Sequence, residues 1–468
     1  MHATTGERTG PEGQSGSRAR QVSPAARPSA PDVTPAPSAA APSDAPSTAP
    51  STATSTATST VTALHLGAFR ALRGRTVDLA PVTVLNGPSG SGKSAVLEAY
   101  EALARLAGGA VLDDVFGGAP GGPPAYVPRS ARTDAQGRRG FRLGCTLGGP
   151  AGPVRFDLAV QAEPSLRIAG ERLSVPGGRT LLATAQRDPE RPVVQAEWHS
   201  GGAGRVTRAR LPDDRLATAL LPLRAAGGTR EERRVLAAAE QAVVALRSVF
   251  ACDPRPETMR GPVPAADTLL RGGCGNLAAV LHRTGRECSV RHGLLVDALR
   301  AGWAGAGPVT DLVTGRPEVA PGDPGSPGSP GASGGPQRTG AAGLVSASVL
   351  HGGEARTPLE RLGDGELRYA ALALVLLTGP GVLSMDPVRE VLPARQALTV
   401  LADGLDRGLD ARQAAELTAL AVRMGKRGHV RLLAAVSEAG PVARAVAEAA
   451  AGEGARRPGV ALVDLGRE

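Results

Sequence analysis

The sequence predicts an α/β fold in which helices flank a largely parallel β-sheet, and three observations support that prediction. Short apolar runs alternate with helical patterns through the C-terminal part of the chain, as in strands joined by crossover helices. A glycine-rich segment separates a predicted strand from a predicted helix near residue 90. A second short apolar strand ends in an aspartate near residue 400. With 468 residues, the chain has room for two or three domains.

Two segments have the composition of disordered chain. Residues 1–60 consist mainly of Ser, Thr, Ala, Pro and Gly, and they carry too few large apolar side chains to offset the entropy cost of ordering. They also lack the apolar core of a signal peptide, so we do not expect a targeting segment. Residues 314–341 are rich in Pro, Gly and Ser and show no periodicity. We therefore expect a disordered N-terminal tail and a long disordered loop.

The glycine-rich segment matches the G-x-x-x-x-G-K-[ST] pattern of a phosphate-binding loop, or Walker A motif. Its residues are Gly87, Pro88, Ser89, Gly90, Ser91, Gly92, Lys93 and Ser94. Residues 81–86 predict a buried strand before it, and residues 94–106 predict a helix after it. In that setting the backbone N–H groups hold the phosphates of ATP, Lys93 reaches the terminal phosphates, and the Ser94 hydroxyl ligates Mg²⁺.

Chance is the alternative explanation for this loop, because the chain contains 62 glycines. Lysine argues against chance. Of the 53 basic residues, only Lys93 and Lys426 are lysine, and the rest are arginine. A lysine at the position where the motif needs a compact ammonium is therefore informative.

Nucleotide binding alone is not catalysis, which also needs an acidic residue that helps to hold Mg²⁺ at the end of a buried strand. The segment "ALTVLAD" ends in Asp403 directly after an apolar run. An ordinary turn or helix-capping aspartate would give the same local pattern, which is the alternative. We take Lys93 and Asp403 as candidate catalytic residues, and Ser94 with Asp403 as candidate Mg²⁺ ligands.

The order and spacing of further segments resemble those of the ABC-type ATPases, and within them of the SMC/RecF-like group, often labelled AAA-family ATPases or OLD-like proteins. The matching positions are Phe69 and Arg70 in a first strand, the Walker A loop, Leu362 to Arg368 in the signature segment, Asp403 in Walker B, and Leu409 and Asp410 in the D-loop. The resemblance covers roughly residues 61–440.

This resemblance implies an ATP hydrolase in which two chains enclose ATP head to tail. Gly363 and Gly365 of one chain would then contact the γ-phosphate bound by the other chain, and Arg368 would tie the signature helix locally. ATP would favour a homodimer, because a ligand shifts an equilibrium toward the state that it binds better.

Three positions depart from the family pattern. Gly404 stands where the family has its catalytic glutamate, Gly363 replaces the signature serine, and the position of the switch histidine falls at Val436. A missing carboxylate removes the group that polarises the attacking water. Asp406 lies nearby in sequence and is the first candidate to replace it. We expect slow hydrolysis or, as the alternative, a non-catalytic nucleotide-gated module that binds DNA or a partner protein.

The resemblance also suggests how the chain is divided. Residues 61–110 would form the N-terminal half of the ATPase core, residues 111–341 an inserted α/β lobe, and residues 342–468 the C-terminal half.

Bulk composition limits the partners. The formal net charge of +9 suits a polyanion such as nucleic acid, but an arginine-biased composition gives the same charge. Aromatic residues make up 2% of the chain, which argues against base-stacking platforms. The four cysteines form no CxxC pair, so neither zinc nor a disulfide framework is indicated. The longest apolar run, residues 370–377, is too short for a membrane span, and we expect a cytoplasmic protein.

Overall fold

The computed structural model describes residues 58–188, 190–201, 204–303, 305, 307–317, 343–352, 355–385, 397–437, 440–451 and 459–466. Residues 1–57 of the predicted tail and residues 318–341 of the predicted loop lie outside these ranges. Residues 58–60 were also predicted to belong to the disordered tail, but the structure describes them, and Ser59 forms a β-bridge.

The described chain contains both strands and helices; β4 to β9 follow one another without an α-helix, and strands and helices alternate from β15 to β17. The strands are β1 (Thr60–Phe69), β2 (Leu72–Asp78), β3 (Val82–Asn86), β4 (Arg139–Gly148), β5 (Val154–Glu163), β6 (Arg167–Ser174), β7 (Thr180–Ala185), β8 (Val193–His199), β9 (Val206–Pro212), β10 (Val249–Ala251), β11 (Val263–Pro264), β12 (Val309–Gly315), β13 (Leu344–His351), β14 (Arg356–Pro358), β15 (Leu398–Ala402), β16 (Val430–Ala435) and β17 (Val460–Asp464). The α-helices are α1 (Lys93–Ala107), α2 (Leu112–Phe116), α3 (Ala217–Leu220), α4 (Arg230–Arg247), α5 (Pro256–Met259), α6 (Leu277–Glu287), α7 (Ser289–Gly302), α8 (Asp364–Leu377), α9 (Ala411–Lys426) and α10 (Pro441–Ala451).

Five strands form a parallel sheet in the order β10-β15-β16-β3-β17. The register places Val84 of β3 between Ala434 of β16 and Leu462 of β17. All five residues of β15 and four of the five in β3 are buried, as expected when helices cover both faces of a parallel sheet. The predicted α/β fold with a parallel sheet is therefore confirmed.

Eight strands form an antiparallel sheet in the order β2-β1-β4-β5-β6-β7-β8-β9. Because β1 pairs with both β2 and β4, the boundary expected at residue 110 falls inside this sheet. The sequence predicts strands at residues 140–147, 153–164 and 205–212, which match β4, β5 and β9, but it does not indicate β6, β7 and β8. Gly170 and Glu171 interrupt the apolar alternation of β6, which explains why its pattern is weak.

Four short strands form a separate antiparallel sheet around β13, which pairs with β11, β12 and β14. Thr314 and Gly315 end β12 and pair with Ala347 and Ser346. The prediction of a loop from residue 314 is therefore wrong for these first two residues. Pairing with β13 overrides the local composition there.

Helix α4 shows how tertiary pairing corrects a sequence prediction. The side chain of Thr229 accepts a hydrogen bond from the Glu232 N–H and caps the helix as predicted, while the Glu232 carboxylate reaches back to the Gly228 N–H. The sequence of residues 229–250 predicts one helix with a capping box of Thr229 and Glu232 at its start. The helix ends earlier, because Phe250 pairs with Val400 in the parallel sheet.

Two hydrophobic cores lie on opposite faces of the parallel sheet. One contains the buried residues of α1, α4 and the antiparallel sheet, and the other contains those of α6 to α9 together with β13 and β15. Arg431 joins β16 to the antiparallel sheet, since its Nη2 donates to the carbonyl oxygens of Val61, Leu79 and Ala80 at 3.3, 2.9 and 3.1 Å. Burial lowers the pKa of this guanidinium.

The described helices include none that is both long enough and apolar enough to cross a membrane.

Candidate nucleotide-binding site

The glycine-rich loop lies between β3 and α1, the position that a phosphate-binding loop requires. Gly92 precedes α1 with φ 98°, and a Cβ atom there would lie 2.7 Å from Cδ2 of Leu72. Only glycine therefore fits this position. Among the described residues no side chain caps the first turn of α1, so its N–H groups are available to an anion.

The ammonium group of Lys93 lies over the loop. Its Nζ donates hydrogen bonds to the carbonyl oxygens of Gly87 and Pro88 at 2.6 and 3.0 Å. An ammonium carries three donors, so one remains for a ligand. The loop itself is tightened by a hydrogen bond of 3.2 Å from the Ser91 N–H to the Pro88 carbonyl.

The loop opens into a cavity of about 660 Å³, a volume that suits a small-molecule ligand. The cavity lies at the carboxyl ends of β3, β15 and β16, where ligands bind in open parallel sheets. Its lining residues are Arg70, Ala71, Gly87, Pro88, Ser89, Gly90, Gly92, Lys93, Ser94, Ala95, Asp403, Gly404, Asp406, Arg407, Ala435, Val436 and Ser437. The fold thus brings Asp403 to the same cavity as the loop, although 300 residues of chain separate them in sequence.

Seven of the eight loop residues line this cavity, and Ser91 is the exception. Its hydroxyl oxygen is buried and has no hydrogen-bond partner among the described residues. A Cβ atom on Gly87 would lie 3.0 Å from that oxygen, so Ser91 packs beneath the loop.

Ser94 and Asp403, the predicted Mg²⁺ ligands, share two cavities. Both line the main cavity and also a second cavity of about 430 Å³, together with Glu98, Glu101 and Asp253. The described residues contain no group of three or more His, Cys, Asp or Glu side chains that would hold a metal alone. Mg²⁺ in nucleotide sites is held by one or two carboxylates plus phosphate oxygens, so this donor set fits the metal when it arrives with ATP.

The turn after β15 is fixed to the end of β16. The N–H of Leu405 donates to the Ala435 carbonyl at 3.0 Å, and the N–H of Ser437 donates to Oδ2 of Asp406 at 3.0 Å. Asp406 is 7% exposed, and its Oδ1 has no hydrogen-bond partner within the described part of the chain. A buried carboxylate with a free acceptor atom therefore stands beside the cavity.

Gly404 has a left-handed backbone, with φ 60°. A Cβ atom there would lie 2.9 Å from Nη2 of Arg407, whose guanidinium also pairs with Asp253 at 3.7 Å. The place expected for a catalytic glutamate is thus filled by an arginine.

Neither signature glycine lines the cavity of its own chain. Gly363 is exposed at the start of α8, where its N–H donates to Oε2 of Glu366 at 2.8 Å. Gly365 packs against the turn after β15, since a Cβ atom there would lie 2.1 Å from the Gly408 carbonyl oxygen. Close packing is thus a structural reason for glycine at this position.

Arg368 of α8 is 3% exposed and makes local contacts. It donates to Oδ1 of Asp253 at 3.3 Å, to the Gly404 carbonyl at 3.0 Å and to the Pro254 carbonyl. The expectation that Arg368 ties the signature helix locally agrees with these bonds. Through it, α8 is attached to the turn that follows Asp403.

Val436, the position expected for the switch histidine, lines the cavity together with the next residue, Ser437. Val436 is 1% exposed and also belongs to the core, whereas Ser437 is exposed. His429 precedes β16 and so lies at the opposite end of that strand.

The sequence did not indicate that Arg70, Arg407 and Ser437 line the cavity, or that Gly466 supports the loop. Arg70 lines the cavity with a left-handed backbone of φ 51°, and its guanidinium pairs with Glu98 of α1 and lies 4.8 Å from the centre of the Tyr126 ring. The hydrogen bond to Glu98 raises the pKa of Arg70, so this group stays charged. Gly466, after β17, supports the loop from below, because a Cβ atom there would lie 2.5 Å from Cδ of Pro88.

Comparisons with known proteins give structural likeness at low identity. No protein-family model matches the sequence, and no curated protein matches it. An SMC head bound to the C-terminal winged-helix domain of ScpA is 12% identical, with a TM-score of 0.38, and covers 82% of this chain and 91% of its own. The SMC head domain from Thermotoga maritima is 13% identical, with a TM-score of 0.35 and coverages of 82% and 92%. The Pyrococcus furiosus SMC head with an extended coiled coil, bound to the C-terminal domain of ScpA, is 11% identical, with a TM-score of 0.37 and coverages of 83% and 92%.

Proposed function

We propose that this chain is an ATP-binding, ABC-type ATPase of the SMC/RecF-like kind. One observation carries the proposal: a single cavity is lined by the glycine loop with Lys93 and by Asp403, which follows β15 of the same parallel sheet. A phosphate cradle and a carboxylate for Mg²⁺ are the two parts that an ATP site of this class needs.

Each residue of the site has a proposed role in binding or hydrolysing ATP. The N–H groups of the loop and of α1 bind the phosphates, and Lys93 neutralises the terminal ones. Ser94 and Asp403 orient Mg²⁺, which, when bound, supplies positive charge to the phosphate oxygens. Asp406 is the carboxylate that we assign to the attacking water, because it lines the cavity. Its Oδ1 has no hydrogen-bond partner among the described residues but is buried, so the side chain must turn before that oxygen can accept from water. Water oxygen bonds to the γ-phosphorus, the bond to the bridging oxygen of ADP breaks, and the water proton passes to Asp406 and then to solvent.

The proposed core combines residues 61–110 with residues 342–468, and residues 111–341 form the insertion. Support comes from the parallel sheet, in which β3 comes from the first part and β15, β16 and β17 come from the last. The insertion also contributes, since β10 is the edge strand of the same sheet.

We further propose that ATP promotes a homodimer. Gly363 and Asp364 are exposed at the start of α8, and neither Gly363 nor Gly365 lines the cavity of its own chain. A second copy could therefore present this helix start to the γ-phosphate. The N–H groups at a helix N-terminus favour an anion. Light scattering with ATP and with ADP tests the point, and a mass that does not change with ATP contradicts it.

A second candidate is a nucleotide-gated module that binds DNA or a partner protein without turnover. The observation in its favour is Gly404, which provides no carboxylate where the family has its catalytic glutamate and has a left-handed backbone in contact with Arg407. If this module binds DNA, its affinity should depend on ATP and should fall steeply as salt rises.

The decisive experiment measures equilibrium ATP binding beside single-turnover hydrolysis for the wild type, Lys93→Ala and Asp406→Asn. Lys93→Ala should weaken ATP binding about 100-fold, because a charged hydrogen bond to phosphate is lost. Asp406→Asn should keep binding, since an amide oxygen still accepts from Ser437, but should slow hydrolysis by about 100-fold or more.

Arg234→Ala is the control, because Arg234 is exposed on α4 and does not line the cavity. Tight ATP binding without turnover would favour the gated module. A wild-type protein that binds no ATP would rule out both candidates.

A further inference from the structure

We propose that Arg407 is a phosphate-binding residue of the nucleotide site and gives it preference for ATP over ADP. The inference rests on the proposed function and adds a residue to that site. It starts from Gly404, which replaces the glutamate of the family pattern. The positively charged guanidinium of Arg407 lies close to that position.

The contact between Gly404 and Arg407 is specific. With φ 60°, the backbone of Gly404 turns so that the Arg407 side chain folds back over its Cα atom. A Cβ atom there would meet Nη2, Nε and Cζ of Arg407 at 2.9, 3.2 and 3.3 Å. The glycine therefore makes the space that the guanidinium uses, and the two residues form one unit.

The Arg407 guanidinium lies at the cavity, and its present partner, Asp253, can be replaced by a phosphate. Arg407 lines the cavity together with Lys93 and Asp403, and its side chain is 63% exposed. Its ion pair with Asp253 is 3.7 Å long, and Asp253 is 42% exposed. An exposed pair of this kind contributes little stability, so a phosphate can compete for the guanidinium.

Asp253 does not depend on Arg407 for its charge balance. Arg368, which is buried, donates to the same Oδ1 of Asp253 at 3.3 Å. When Arg407 turns toward a phosphate, Arg368 continues to compensate the carboxylate. Arg407 can therefore leave Asp253 without leaving that carboxylate unpaired.

A guanidinium binds phosphate through two parallel N–H groups, which a lysine cannot reproduce. The turn that carries Arg407 is fixed to β16 by the bonds of Leu405 and Asp406 and lies at the Asp403 side of the cavity. In ATP sites of this class the metal ion lies at the β- and γ-phosphates, so an arginine beside Asp403, which would hold that ion, would act on the same end of the nucleotide. Removing it should therefore affect ATP more than ADP.

The test is the affinity for ATP and for ADP, each with Mg²⁺, measured by calorimetry on the full chain for the wild type, Arg407→Ala, Arg407→Lys and Arg234→Ala. Arg407→Ala should lose about tenfold or more in ATP affinity and less than about threefold in ADP affinity. Arg407→Lys should recover part of the ATP affinity. Arg234→Ala should match the wild type for both nucleotides.

The outcomes separate this inference from the proposed function. If the wild type binds ATP and Arg407→Ala leaves the ratio of ATP to ADP affinity unchanged, the role of Arg407 is overturned and the ATP site stands. If Lys93→Ala weakens both nucleotides while Arg407→Ala weakens only ATP, the role is supported. If the wild type binds neither nucleotide, the proposed function fails. The melting temperature of each variant shows that a loss of affinity is not a loss of folding.

Discussion

The phosphate loop and the turn after β15 form two walls of one cavity, yet they differ in what holds them in place. The loop is defined by its own backbone, through Gly92 and the bonds of Lys93 to the preceding carbonyls. The turn is defined by partners distant in sequence, as in the bond from Ser437 to Asp406 and the pair between Arg407 and Asp253. A segment whose conformation depends on its own residues has a sequence motif that can be recognised. In a segment held by tertiary contacts, one residue can replace another when a contacting residue changes as well.

The largest effect expected from this comparison comes from breaking the loop. Gly92→Val should abolish measurable ATP binding and should lower the free energy of unfolding by about 2–3 kcal/mol, because the side chain would be strained at φ 98° and would meet Leu72. Calorimetry with ATP and urea unfolding measure the two effects.

Gly90→Ala provides the matched control for the loop. Its φ of 84° is also left-handed, but a Cβ atom there meets nothing within 4 Å. It should cost about 1 kcal/mol for the backbone alone. Equal losses in Gly92→Val and Gly90→Ala would show that the contact with Leu72 contributes nothing.

A smaller effect is expected where α8 meets the turn. In Gly365→Ala the new methyl group would lie 2.1 Å from the Gly408 carbonyl oxygen, so the helix and the turn must separate. Such overpacking costs about 1–3 kcal/mol, which urea unfolding measures. Gly293→Ala is the control, because Gly293 lies in α7 with open space around it and should not be destabilised. A Gly365→Ala protein as stable as the wild type would contradict this packing.

The same contrast explains which features could be predicted from the sequence. Gly87 to Ser94 and the strand that ends at Asp403 were recognisable because glycine spacing and apolar runs are local signals. The contact of Gly466 with Pro88 depends on the pairing of β17 with β3, which no local pattern indicated.

Arg70 and Ser437 show the same limit. Arg70 was assigned to a strand, but its place at the cavity depends on Glu98 and Tyr126 from other elements. Ser437 was not singled out by any local pattern, and its N–H is placed at the turn by a hydrogen bond to Asp406, which lies 31 positions earlier in the chain.

The smallest expected effect comes from placing the family's glutamate at position 404, in the turn after β15. Gly404→Glu alone should not speed single-turnover hydrolysis, because the new side chain pays about 1 kcal/mol for the left-handed backbone and meets the Arg407 guanidinium at once. Combined with Arg407→Ala, the glutamate has the vacated space, and the double variant should hydrolyse ATP a few fold faster than Arg407→Ala alone. The two positions lie in contact, so their effects should not add. If the changes in hydrolysis rate of the two single variants instead added up to that of the double variant, Gly404 and Arg407 would not be coupled. Their contact would then not explain why these two residues occur together in the turn.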